Sequence, residues 1–281
     1  MQTNYYIDEE EVKVKTETAA ERLLRIGHLI APLDSHPVTT SKDLGRNLWT
    51  RMVDTVFAAV RRYTPPLHWF LATLTAVMLF VYVRLLALTV RVVAPGKPQW
   101  PDLPAPSVIA LWHGDAPSLL VAFASQRPAL RSVILVAGDA RGDAISQLCR
   151  WLGFTVIRGG GPTGGWNILI DLAQELAAGA YVFVTTDGGG PAHVAKVGAV
   201  ALAAAARVPL VPLRADCSPA LEERHKWDSA RNPLPFSVVT VLLGTARRFE
   251  LFTDPSSVEE ARLWLEKTLN ALRIGNLPRN V

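Results

Sequence analysis

Between residues 108 and 243, short apolar runs alternate with helical stretches, and this alternation limits the fold more than any other feature of the chain. Val108 to Trp112, Ser132 to Val136, Phe154 to Arg158, Tyr181 to Thr186, Leu210 to Leu213 and Val238 to Leu243 read as strands. Helices are expected between them, over Pro117 to Ser125, Asp143 to Leu152, Trp166 to Ala178 and Lys196 to Ala206. A last helix, Ser257 to Arg273, opens with the capping-box-like Ser257-Val258-Glu259-Glu260. Strand and helix in repetition predict an α/β fold, a mixed and largely parallel sheet flanked by helices.

The sequence ahead of this pattern differs in kind. Leu67 to Val90 holds 24 residues with one charge, Arg84. As a helix it would be about 36 Å long, against about 30 Å for the hydrocarbon layer of a bilayer. Arg84 costs at least about 2.5 kcal/mol deep in lipid, and the uncharged stretch before it suits a helix in one leaflet or a hydrophobic hairpin arm as well as a span, with a buried core helix as the further alternative. Trp69, Tyr82, Arg91 and Lys97 supply aromatic and basic groups suited to a headgroup layer. Three regions follow: a polar extension over 1–60, loosely packed with one helix over Thr18 to Ile30, a membrane-associated hydrophobic helix over 61–98, and an α/β domain over 99–281.

Hydrophobic residues make up 49% of the 281, enough for one large core. The net charge of +4 favours anionic surfaces without choosing between nucleic acid and lipid. Cys149 and Cys217 have no metal-like spacing, so the expectation is no metal and a reducing, cytoplasm-facing compartment.

Unusual residues gather after the strands. His113 and Asp115 follow the first, Arg158 with Gly159 and Gly160 ends the third, and Asp187-Gly188-Gly189-Gly190 ends the fourth. Ligands of open α/β sheets collect at the carboxyl ends of strands, so these segments are expected to share a crevice. Gly159, Gly161 and Gly164 match a dinucleotide fingerprint, but the acid expected about 20 residues later is absent. What such a loop offers in any case is backbone N–H groups at a helix start, with Arg158 beside them, suited to a phosphate-bearing substrate. His193 and Lys196 follow the second glycine turn, where they add charge to the crevice or sit on a solvated helical turn.

In order, Trp112-His113-Gly114, the block from Leu152 to Gly160, the block from Asp187 to Lys196, Val208 to Leu213 and Trp227 to Ser237 resemble the lysophospholipid acyltransferase superfamily. The chain is most similar to its membrane-associated bacterial branch of the DUF374 type, over roughly residues 105 to 246. The resemblance implies that His113 is a general base acting on an acceptor hydroxyl, and that Arg158 binds an acceptor phosphate or headgroup. It implies that Asp187, Gly188 and Gly190 line the substrate crevice, with Val211 and Pro212 in a structural block. Trp227, Asp228, Pro235 and Phe236 match the branch's late signature.

The departures are specific. Ser118 stands where many of these enzymes carry the acid that orients the histidine, which leaves Asp115 as a candidate substitute. The glycine block lacks the arginine the branch usually carries, so Lys196 is the candidate for its anion. The resulting expectation is an inner-membrane acyltransferase with its catalytic domain on the cytoplasmic side. It would move an acyl chain from coenzyme A or acyl carrier protein to a lysophospholipid, lipid or glycolipid hydroxyl, with no bound cofactor and no nucleic acid partner. The alternative is a weakly active or inactive lipid-binding scaffold on the same fold.

Overall fold

The computed structural model describes residues 17–30, 48–95, 102–159, 165–223 and 226–272. Eight helices occur among them: α1 (Ala19–Ile30), α2 (Leu48–Tyr63), α3 (Pro65–Thr89), α4 (Ala116–Gln126), α5 (Ala140–Trp151), α6 (Gly165–Ala177), α7 (Gly198–Ala206) and α8 (Pro255–Ala271). The strands are β1 (Arg91–Val93), β2 (Ser107–Leu111), β3 (Ser132–Ala137), β4 (Thr155–Gly159), β5 (Tyr181–Thr185), β6 (Leu210–Glu222) and β7 (Arg231–Leu243).

They form one seven-stranded sheet in the order β1-β7-β6-β2-β5-β3-β4. Every pairing is parallel except β6 with β7. The expected mixed, largely parallel α/β fold is therefore what the chain adopts, and the six strands read from the sequence are all present. Two of them are longer than read: β6 and β7 continue as a hairpin well past the carboxyl end of β2, which pairs with β6 only from Leu210 to Pro212.

Side chains along β2 alternate between two cores, as the period of two requires. Val108, Ala110 and Trp112 face a layer made by α1, α6, α7 and α8. Ile109 and Leu111 face α3, α4 and α5 on the other side. Helix α7 is almost pure alanine, valine and leucine, and all but its ends are buried in the first layer.

Three sequence expectations need correction. Helix α1 is no loose appendage: Leu23, Ile26 and Ile30, spaced to share one face, are buried in the main core. Residues 1–16 and 31–47 lie outside the described residues. The sheet takes in β1, directly after α3, because Arg91, Val92 and Val93 pair with Val238, Val239 and Thr240. Finally, α8 starts at Pro255, capped by Asp254, whose Oδ1 accepts the Ser257 amide at 2.9 Å. An aspartate with proline at the first helical position outcompetes the Ser257 box.

Helix α3 has 25 residues and a mean hydropathy of 2.1 over its most apolar window, long and apolar enough to cross a membrane by length and composition. One face rests on the protein through His68, Ala72, Ala76, Val83 and Leu86. Much of the rest, including Phe70, Met78, Leu85 and Leu88, is exposed.

Candidate active site

β2 stops at Leu111, and a tight 3-10 turn, His113–Asp115, carries the chain into α4 with Pro117 in its first turn. This turn puts His113 at the carboxyl edge of the sheet with its side chain 46% exposed. Its Nδ1 lies 2.7 Å from Oδ2 of Asp228, in the loop joining β6 and β7. Asp228 is itself buried. Burial works to raise its carboxyl, but the hydrogen bond and charge of His113, with help from the Ala230 amide, outweigh it and hold Asp228 below the usual carboxylate range. A carboxylate only accepts, so Nδ1 donates to Asp228, and in the neutral imidazole Nε2 is then the lone-pair acceptor.

Two glycines let this loop close over the site. A Cβ on Gly114 would lie 2.6 Å from the Asp228 carbonyl oxygen, and one on Gly190 would lie 3.2 Å from the Trp227 ring. Trp227 reaches the imidazole as well, with ring centroids 5.1 Å apart. The third side of the site is the turn after β5. Asp187 is completely buried; Oδ1 accepts the His113 amide at 2.7 Å and Oδ2 the His193 amide at 3.2 Å. It ties two turns together, so its carboxylate is used within the protein rather than offered to a substrate. Gly190 gives its amide to the Asp187 carbonyl at 2.7 Å, which takes it out of the set of free oxyanion donors. The Lys196 ammonium donates to the Gly188 carbonyl oxygen. Burial lowers its pKa, with Asp187 opposing the shift.

The structure therefore brings His113, Asp187, Gly188, Gly190 and Lys196 together, and adds Asp228 and Trp227. It does not bring Asp115 to the imidazole. That carboxylate turns away into the protein, where Arg214 Nε lies 2.5 Å from Oδ2 and the Ala215 amide 3.2 Å from it. Burial still pushes the Asp115 carboxyl up to about 6 against the pull of Arg214. Ser118 is buried too, with its hydroxyl 3.5 Å from the Arg231 carbonyl oxygen.

Arg158 and Gly159 are likewise not at the histidine. β5 and β3 stand between β4 and β2, which puts the strand axes about 14 Å apart at the usual spacing. The Arg158 guanidinium is engaged with α5: Nη2 meets Asp143 Oδ1 at 2.7 Å and the Asp139 carbonyl at 3.0 Å, while Nη1 meets Ser146 at 2.5 Å. Asp143 completes this buried cluster by accepting from His68 of α3 at 2.8 Å. Gly159 packs against Ile168, whose Cδ1 would lie 2.1 Å from an added Cβ. Gly160 lies outside the described residues.

Asp228 is a candidate site residue to which the sequence reading attached no role. Its signal was the Trp227-Asp228 pair within a matched block, with no role attached because 115 positions separate it from His113. Among the described residues no group of three or more His, Cys, Asp or Glu side chains could hold a metal ion.

No protein-family model matches the chain, and no curated protein matches it. Among solved structures, the chain is similar to the crystal structure of the 1-acyl-sn-glycerophosphate (LPA) acyltransferase PlsC from Thermotoga maritima, at 12% identity and a TM-score of 0.42, over 91% of this chain and 96% of that one.

Proposed function

We propose that this protein is a membrane-associated acyltransferase of the DUF374 type, which transfers an acyl chain from a thioester of coenzyme A or acyl carrier protein to a hydroxyl of a lysophospholipid, lipid or glycolipid. The observation that carries this reading is the 2.7 Å contact between Asp228 and Nδ1 of a half-exposed His113. A histidine whose Nδ1 is held by a buried acid can act as a general base through its other nitrogen, Nε2.

In the proposed reaction Nε2 takes the acceptor hydroxyl proton as the oxygen attacks the thioester carbonyl. The C–O bond forms, the tetrahedral intermediate collapses, and the C–S bond breaks. The departing thiolate takes the proton back from His113, so the base is regenerated. Asp228 stabilises the imidazolium that exists between the two proton transfers. Ser118 no longer favours an inactive scaffold, because an acid from the β6–β7 loop, Asp228, stands at the imidazole in place of the one missing from α4.

The membrane part of the proposal rests on α3. From His68 to Leu86 the helix touches the body at intervals: His68 on Asp143, Thr73 on Gln147, Tyr82 on the Pro233 carbonyl and Arg84 on the Ala124 carbonyl. That stretch is about 27 Å of helix. A helix crossing a bilayer alone would be wrapped by lipid along such a length, so α3 lies in one leaflet with its outer face in the acyl region. The Ala124 carbonyl gives the Arg84 charge a partner on the protein side. Buried free thiols at Cys149 and Cys217 suit the cytoplasmic side of an inner membrane.

The test is thioester consumption by purified protein in mixed-lipid micelles containing lysolipids, with His113→Ala and Asp228→Asn alongside. Equal turnover by all three proteins would sink the base assignment.

A further inference from the structure

We propose that the bulge at the start of β7 is a second lipid-contacting element, with Phe236 entering the same leaflet as α3; this rests on the reading of α3 as leaflet-bound. The β6–β7 ladder pairs Ser218 with Val238 and resumes with Ala220 opposite Pro233. β6 skips one residue there, while β7 loops out Leu234, Pro235, Phe236 and Ser237.

The bulge is inverted with respect to water. Phe236 is 80% exposed, whereas the polar side chain beside it, Ser237, is completely buried. The Phe236 backbone has φ 65°, in the left-handed region that bulky residues avoid. The chain thus holds an aromatic ring outward in a strained conformation, which aqueous surroundings would not reward.

Its neighbours identify the occupant as lipid. The Tyr82 hydroxyl donates to the Pro233 carbonyl at 3.4 Å and joins the bulge to α3. Met78, Tyr82 and Leu85, at i, i+4 and i+7, form one exposed line on that helix. Arg91, exposed and paired in register with Val238, sets a cation beside the same surface, suited to headgroup phosphates. An aromatic wedge, an apolar helix face and a flanking arginine make one continuous surface of the kind that enters an anionic leaflet.

The test uses the full chain in vesicles of phosphatidylethanolamine and phosphatidylglycerol that contain lipids with a nitroxide on the upper acyl chain. A small fluorophore is attached at Phe236→Cys, Met78→Cys or Leu263→Cys; the native thiols are buried, and Leu263 is exposed on α8 across the sheet. Loss of fluorescence at 236 and 78 with none at 263 is the expected result. Quenching at 78 alone overturns the role of Phe236 and leaves the leaflet reading of α3 standing. No quenching at either position overturns both, and quenching at 263 as strong as at 236 overturns the specific contact. The readout does not depend on turnover, so failure of the acyltransferase reading leaves it intact.

Discussion

Asp228 reaches His113 from a hairpin loop 115 residues downstream, with 2.7 Å between Oδ2 and Nδ1. The pair depends on β6 and β7 running past the end of β2, because only that overhang lets their connecting loop fold back onto the 3-10 turn. Replacing Asp228 with Asn keeps the shape and removes the charge that favours the imidazolium. We expect kcat to fall on the order of 10²–10⁴-fold with KM little changed, and His113→Ala to fall at least as far. Steady-state kinetics with a saturating thioester separate the two constants.

Gly114 offers a test of the same pair without touching either side chain. A methyl group there meets the Asp228 carbonyl oxygen at 2.6 Å, and backbone cannot swing aside as a flexible side chain can. Gly114→Ala should therefore push the loop off the histidine and lower kcat, while the far-ultraviolet circular dichroism stays that of the native protein. Unchanged kcat would mean that the loop contact does not matter for turnover.

How much the sequence disclosed differs between elements. The strands were legible because runs such as Val108 to Trp112 are apolar on both faces, and His113 stood out as a titratable group at the end of one. The overhang of β6 and β7 was hidden: the tip of the hairpin is polar and broken by Pro219, Pro233 and Pro235, so only Leu210 to Leu213 and Val238 to Leu243 carried a strand pattern. Lateral position was hidden too. Nothing in Arg158 tells that β5 and β3 separate its strand from β2, because strand order is set by long-range packing. Asp115 was the near candidate in sequence, yet the turn sends its carboxylate to Arg214, and neighbours in sequence do not share a direction.

Asp115, two residues after the histidine in sequence, and Asp228, bonded to it, respond to pH with opposite sign. The Asp115 carboxyl is raised to about 6, so the folded state binds its proton more readily than the unfolded chain does. Its contribution is greatest below the ordinary carboxylate pKa and declines as pH rises toward and through about 6. Asp228 is lowered, so its contribution is present above the ordinary carboxylate pKa and is lost as pH falls through the lowered value. Urea unfolding from pH 3 to pH 7 should show Asp115→Asn gaining on the wild type as pH rises through that window. Asp228→Asn should trail at neutral pH and converge with the wild type in acid. The same slope in both variants would contradict the assignment.

Removing Arg214 examines the buried pair itself. Arg214→Met leaves Asp115 in a site without its cation, and losing one partner of a buried pair typically costs about 3–5 kcal/mol. The Asp115→Asn, Arg214→Met double variant should recover much of that loss, because no uncompensated charge remains. Denaturant midpoints for the four proteins of this cycle decide it: an additive double variant would mean the two groups do not interact.

Helix α3 touches the protein body from His68 to Leu86, and the leaflet-bound arrangement proposed for it predicts that both ends lie on one side of a bilayer. Leu67 and Leu88 are exposed near the two ends, and each replaced by Cys gives a thiol whose side can be read. In sealed vesicles with the protein added from outside, a membrane-impermeant maleimide should label both positions without detergent. A spanning helix would leave one of them unlabelled until the membrane is opened. The exposed apolar residues between them, Phe70, Met78 and Leu85 among these, would supply the attraction, at about 25 cal/mol for each Å² of apolar surface that leaves water. Met78→Asp combined with Leu85→Asp should therefore release the protein from vesicles in flotation, while turnover of a water-soluble thioester and a short-chain alcohol is kept, because neither residue touches His113 or Asp228.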